Sequence, residues 1–181
     1  MKFKAVILWA IVLVLIEQLI KWVIYINYRD LNIEMIPSLL EFKPTLNNKS
    51  FYWLGLMNIE VGRWARMVTA ILVLGVFCLF YLYMKALSSK NKMLDIAFVF
   101  GFAGLLCSFC DNLFFGGSWD YVYLKPLFVF DLKDVYLNCF AIFFLLFYLK
   151  NYTLMKNTKT KDIVSISINR LKAELKTRKD T

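Results

Sequence analysis

Histidine is absent from the 181-residue sequence. Its absence excludes Ser-His and Cys-His nucleophilic pairs and the H-E-x-x-H motif of zinc peptidases. Cys107 and Cys110 form a C-x-x-C pair, but neither a second pair nor a histidine accompanies it. All four cysteines fall within long apolar runs, so we interpret them as small packing residues and expect no metal site. Carboxylates are the acid–base groups that remain.

Charged residues are also scarce, because 60% of the sequence is hydrophobic and 18% is aromatic. So apolar a chain of this length is typical of a membrane protein rather than of soluble domains. A helix that spans the hydrocarbon core needs about 20 apolar residues, and such a stretch must be helical to pair its backbone groups. The predicted spans are 5–28, 67–84, 93–115 and 131–149. We therefore predict an all-α integral membrane protein with four transmembrane helices.

Basic residues gather on one side of the predicted spans. Lys2 and Lys4 precede the first span, lysines fill the loop between the second and third, and the segment after Lys150 is basic. The positive-inside rule places these segments, and both termini, in the cytoplasm. Topology and anionic membrane lipid then explain the net charge of +9, so no nucleic-acid partner is expected. The first predicted span lacks the small-residue cleavage pattern of a signal peptide, so we expect it to be retained as a membrane helix.

Two segments, 27–66 and 116–130, are predicted to lie outside the cell membrane. Aromatic residues are frequent in 40–54 and favour short strands within the first segment. In 151–181, apolar residues recur at helical spacing among basic residues, and both a membrane-surface helix and a solvated tail fit this pattern. The predicted organisation is a transmembrane domain at 1–150 followed by a basic cytoplasmic tail at 151–181.

Two aspartates are predicted to lie at similar depth near the outer face of the membrane. Asp111 lies roughly 27 Å along a helix that enters from the cytoplasm, at about 1.5 Å per residue. Asp134 begins the helix that returns inward, and Glu17 and Lys21 reach the same level in the first span. A charge within a span costs on the order of 2.5 to 3.5 kcal/mol and usually faces protein or a wet cavity. Glu17 and Lys21 are spaced for an ion pair, which is their expected default role.

Two facing carboxyl groups have a distinctive chemistry, since both cannot easily ionise at close range and they share a proton. One acts as a base on a water that attacks a peptide carbonyl, while the other polarises that carbonyl and protonates the leaving amine. Asp111 and Asp134 are the candidates for such a pair. Spacing alone leaves open that Asp134 only serves the first turn of its helix. A proton or cation pathway also uses intramembrane acids, although it predicts them at several depths.

Motifs in this sequence resemble those of the lipoprotein signal peptidases, also called signal peptidase II, in the same order along the chain. E-Q-L-I-K at 17–21 resembles the pattern D-Q-x-x-K, and G-L-L-C-S-F-C-D-N at 104–112 resembles G-x-x-G-N-x-x-D-R. Gly116 and Asp120 follow with the spacing G-x-x-x-D, and F-D-L-K-D at 130–134 resembles F-N-x-A-D. The resemblance covers roughly residues 5 to 150.

The resemblance implies an intramembrane aspartic endopeptidase of a bacterial inner membrane, with Asp111 and Asp134 as its catalytic residues and no metal or organic cofactor. Its partners would be membrane lipid and prolipoproteins whose lipobox cysteine carries a diacylglyceryl group, cut on the amino side of that cysteine. Globomycin-type inhibition also follows from the resemblance. The residues expected to bind substrate or support the pair are Glu17, Lys21, Asn47, Asn112, Asp120 and Asp131.

The sequence departs from the family pattern close to the acids. Cys107 and Ser108 replace Gly-Asn, Asn112 replaces Arg, Asp131 replaces Asn, and Lys133 replaces Ala. These changes keep both aspartates but alter their surroundings. They favour an alternative in which the protein is a catalytically silent homologue that binds lipidated proteins.

Overall fold

The computed structural model describes residues 1–48, 61–88 and 91–152, and contains four helices long and apolar enough to cross a membrane. They are α1 (Phe3–Val23, continued by a π-helical turn at Ile24–Tyr28), α2 (Arg63–Leu87), α3 (Lys92–Phe114) and α4 (Leu132–Lys150). The four predicted helices are therefore confirmed, with α2 extending beyond the apolar run at both ends. Residues 153–181 of the basic tail, for which a membrane-surface helix and a solvated tail were both left open, lie outside the described residues.

Among the described residues, parts of the α1–α2 and α3–α4 connections form one antiparallel sheet with strand order β1-β2-β3-β4. The strands are β1 (Ile33–Ile36), β2 (Leu40–Asn47), β3 (Ser118–Leu124) and β4 (Phe128–Phe130). β2 occupies the first part of the stretch 40–54 in which strands were predicted, and 49–60 lies outside the described residues. Strands in 116–130 were not predicted, although the aromatic and β-branched residues of β3 favour that conformation. Pairing of β2 with β3 joins the segment that follows α1 to the segment between α3 and α4.

α3 is the central helix and packs against each of the other three. Its most apolar stretch is 56% buried within the protein, compared with 17% for that of α4. Gly104 permits the close approach of α4, because a Cβ at this position would lie 2.6 Å from the side chain of Leu137. This contact holds the N-terminal part of α4 against α3, and so brings the residues around 131–134 towards Asp111.

A buried charge cluster lies at the N-terminal end of α3, away from Asp111. Lys85 Nζ lies 2.7 Å from both carboxylate oxygens of Asp95, and the Tyr81 hydroxyl donates to the same carboxylate at 3.0 Å. Asp95 is fully buried and requires such partners. Aromatic side chains from α2, α3 and α4, among them Phe98 and Phe102, pack between this cluster and the level of Asp111. Apolar packing therefore separates the Lys85–Asp95 cluster from the level of Asp111.

Candidate active site

Lys21 lies at the centre of a cluster of buried carboxylates, where the C-terminal ends of α1 and α3 meet the N-terminal end of α4. Its Nζ lies 2.6 Å from Oδ2 of Asp111, 2.6 Å from Oδ2 of Asp131 and 3.3 Å from Oε1 of Glu17. None of these four residues is more than 1% exposed. The predicted pair of Glu17 and Lys21 is present, but Lys21 binds the two aspartates more closely. Lys21 is therefore the shared counter-ion of the cluster rather than the partner of Glu17 alone.

Other hydrogen bonds from α1 and β3 complete this part of the site. Gln18 Nε2 donates to Oδ1 of Asp111 at 2.9 Å, so both oxygens of Asp111 accept hydrogen bonds. The Tyr121 hydroxyl donates to Oε2 of Glu17 at 3.1 Å. Burial, reinforced by the neighbouring Glu17, raises the pKa of Tyr121, so its phenol stays protonated and keeps donating. Glu17 and Lys21 lie on one face of α1 because residues four apart do so in a helix.

Asp131 is the N-cap residue of α4 and also reaches the cluster. Its Oδ1 accepts from the backbone N of Asp134 at 3.0 Å, and Oδ2 of Asp134 accepts from the backbone N of Asp131 at 3.3 Å. These reciprocal bonds form a capping box. The other oxygen of Asp131 contacts both Lys21 and Lys133, and two ammonium groups at this distance stabilise an ionised carboxylate.

Lys133 extends from the first turn of α4 back into the same cluster. Its Nζ lies 2.9 Å from Oδ2 of Asp131 and 3.7 Å from carboxylate oxygens of both Asp111 and Asp120. It also donates to Oγ of Ser118 at 2.7 Å. Ser118 Oγ lies 3.0 Å from Oδ2 of Asp111 and of Asp131, and its single proton serves one of them at a time.

Asp134 lies at the edge of the cluster, beside Asp120 and Asp131. One carboxylate oxygen from each of these three residues lies within 4.8 Å of the others. Asp134 is thus both a helix-capping residue and a member of the acid cluster. The two roles left open by the sequence are compatible, and its catalytic role stays a prediction.

Asn47 and Asp120 face each other across the β2–β3 pair. Asn47 Nδ2 donates to Oδ2 of Asp120 at 2.9 Å. A Cβ on Gly117 would lie 2.8 Å from the carbonyl oxygen of Asn47, so this approach requires glycine. Burial raises the pKa of Asp120, an effect that the Lys133 ammonium and the Asn47 hydrogen bond partly offset. Asn47 therefore supports the acid cluster, and its contact with substrate stays a prediction.

Asn112 lies beside the acid cluster, at the end of α3. Its Oδ1 accepts from Nε of Arg66 at 2.7 Å, and its Nδ2 donates to the carbonyl of Ser108 at 2.8 Å. Arg66 also donates to the carbonyl of Gly116 at 2.7 Å. A guanidinium from α2 thus lies next to the position at which the family pattern has arginine. The Arg66 guanidinium fixes the turn that leads from α3 into β3.

Gln18, Ser118, Tyr121 and Lys133 contact the acids but were not among the predicted site residues. Gln18 belongs to the motif E-Q-L-I-K, which is a signal that identifies it. Lys133 stood out only as a departure from the family pattern. Ser118 and Tyr121 reach the site through the pairing of β2 with β3, which joins distant parts of the chain and leaves no local signal.

Comparisons with known proteins identify the family and the fold. The family model described as signal peptidase (SPase) II matches residues 9–150. Two solved structures, both titled as bacterial membrane enzyme structures by the in meso method, are 21% identical to the chain with a TM-score of 0.67. They cover 88% and 83% of this chain, and the match spans 96% of each of them. At this identity the likeness shows the fold alone. No curated protein sequence matches the chain significantly.

Proposed function

Because this chain belongs to the signal peptidase II family of aspartic peptidases, which cleave the signal peptides of lipoproteins, we propose that it cuts diacylglyceryl-modified precursors before their lipidated cysteine. The observation that carries the proposal is the buried acid cluster, in which Asp111 and Asp131 share Lys21 and Asp134 lies alongside. Glu17 and Asp120 bring the number of carboxyl groups in the cluster to five. Charged groups within membrane spans are costly and usually serve a function.

Asp111 and Asp134 act as the reacting pair in this proposal. Lys21 and Gln18 orient the carboxyl group of Asp111, which serves as the base that accepts a proton from water. The water oxygen attacks the peptide carbonyl while protonated Asp134 polarises the carbonyl oxygen. When the C–N bond breaks, the leaving amine takes a proton from the pair. The products are the free signal peptide and a protein that begins with the lipidated cysteine.

The depth of the cluster suits a lipid-anchored substrate. Acyl chains hold the modified cysteine at the membrane interface, and this raises the effective concentration of the scissile bond near the acids. We accordingly place the protein in a bacterial inner membrane, with the acid cluster at its outer face. A cation pathway would need polar groups through the layer of Phe98 and Phe102, and aromatic packing there argues against it.

The test is an assay with the purified protein in lipid vesicles and a precursor carrying a diacylglyceryl-modified cysteine. We expect release of the signal peptide, and a product that begins at the modified cysteine. The matched control is the same precursor without the lipid, which should not be cut. Binding of the lipidated precursor without cleavage would support the silent homologue, and absence of both binding and cleavage would contradict the proposal.

Reporter fusions or labelling of introduced cysteines should place Trp119 outside the cell membrane and positions 90 and 176 in the cytoplasm. The basis is the concentration of Lys and Arg in the segments that hold the latter two. Labelling of position 90 from outside would reverse the topology. Asp111 would then lie at the cytoplasmic end of α3, away from a translocated substrate.

A further inference from the structure

The pair formed by Lys133 and Asp131 adds one charge of each sign to the site. The two residues lie in the same turn at the start of α4, and their charged atoms are 2.9 Å apart. Both are largely buried, with Asp131 at 0% and Lys133 at 8% exposure. The resembled family has uncharged residues at both positions, so this sequence departs from its pattern twice while the sum of charges stays the same.

Lys133 faces ionisable groups at the start of α4 and on α1, α3 and β3. Asp131 and Asp134 belong to the start of α4, and α1 contributes Lys21 and Glu17, the latter bonded to Tyr121 of β3. Asp111 comes from α3 and Asp120 from β3. The carboxyl groups near the two ammonium groups are therefore those of Glu17, Asp111, Asp120, Asp131 and Asp134. With negative groups in excess, each ammonium has a large effect on how tightly the carboxyl groups hold protons.

We propose that Lys133 is a positioning residue that, paired with Asp131, sets the pH range in which the Asp111–Asp134 pair is active. This inference rests on the proposed function. Lys133 Nζ lies 3.7 Å from Asp111, and an opposite charge at this distance favours the ionised carboxylate. Without Lys133, the negative charge of Asp131 acts on the reacting pair with only Lys21 to balance it. The Asp111–Asp134 pair then binds its protons more tightly.

The test is the pH dependence of kcat/KM for the lipidated precursor. Below the acidic midpoint both acids are protonated and no base is available, so tighter proton binding moves this midpoint to higher pH. Lys133→Met, which keeps the length of the side chain, should raise the midpoint by about 1 to 3 pH units. Lys133→Arg keeps the charge and should leave the midpoint at its original value. Lys125→Met is the matched control, because Lys125 pairs with Glu34 and Glu41 on the sheet.

Adding Asp131→Asn to Lys133→Met removes the second charge and should bring the midpoint back towards its original value. An equal loss of rate at every pH in Lys133→Met would show that Lys133 only shapes the site, and would overturn the proposal. Complete loss of cleavage in Asp131→Asn alone would make Asp131 a reacting acid, and would also overturn it.

Thermal unfolding in detergent separates this inference from the proposed function. Lys133→Met should lower the Tm at neutral pH because it leaves the buried Asp131 with one counter-ion fewer, and Asp131→Asn should recover part of the loss. If the unmodified protein cuts no precursor at any pH, the proposed function fails and the role of Lys133 in catalysis fails with it. Additive changes in Tm would show that the two residues are not coupled, whatever the outcome of the cleavage assay.

Discussion

Asp111→Asn and Asp134→Asn are each expected to abolish measurable cleavage of the lipidated precursor while the protein still folds and inserts. Asparagine keeps the shape of aspartate but cannot exchange the proton, and loss of a positioned acid or base typically costs about 10²- to 10⁴-fold in rate. Because the two acids act in one step, the double variant should be scarcely slower than either single variant. Cleavage rates are measured on purified protein, and thermal unfolding shows that each variant is folded.

Asp131→Asn is the control for this comparison. Asp131 lies as close to Lys21 as Asp111 does, and asparagine can also cap α4. This variant should still cut the precursor, with its acidic midpoint at lower pH because Lys133 then lacks its partner. If Asp131→Asn is inactive and Asp134→Asn is active, the reacting pair is instead Asp111 with Asp131, the two carboxylates that share Lys21.

The four helices could be predicted from the sequence because lipid imposes both their length and their conformation. The central position of α3 could not be predicted in the same way, since it depends on close contacts such as that of Gly104 with Leu137. The β2–β3 pairing could not be predicted either, because the two strands lie in segments separated by two helices. Local composition favours a strand but does not specify its neighbour.

Depth along the helices identified the level of the acid cluster but not which carboxylate faces Lys21. Asp131 and Asp134 are three residues apart, so an estimate based on helical rise hardly separates them. Asp131 has extended backbone angles, φ −130° and ψ −179°, because it is the N-cap residue. Its side chain therefore does not follow the helical periodicity of α4, and helical spacing gave no indication that it would reach α1.

The buried position of Lys21 explains why its replacement should have the largest effect on folding. Lys21→Ala removes the ammonium that contacts Glu17, Asp111 and Asp131, and leaves these carboxylates to repel one another inside the membrane. Breaking a buried ion pair by removing one partner typically costs about 3 to 5 kcal/mol. We expect a lower folded yield, a lower Tm and loss of cleavage.

Glu17→Asp is the matched control for Lys21→Ala, because it keeps a carboxylate near Lys21 and leaves the charges of the cluster unchanged. Its effects on yield and cleavage should be clearly smaller, although the shorter side chain weakens the bond from Tyr121. Raising the acidity of the detergent buffer should partly recover the Tm of Lys21→Ala, since protonation removes the repulsion between the stranded carboxylates. Unchanged yield and cleavage in Lys21→Ala would show that Lys21 does not hold the cluster together, and Lys133 would then be the ammonium that balances the two aspartates.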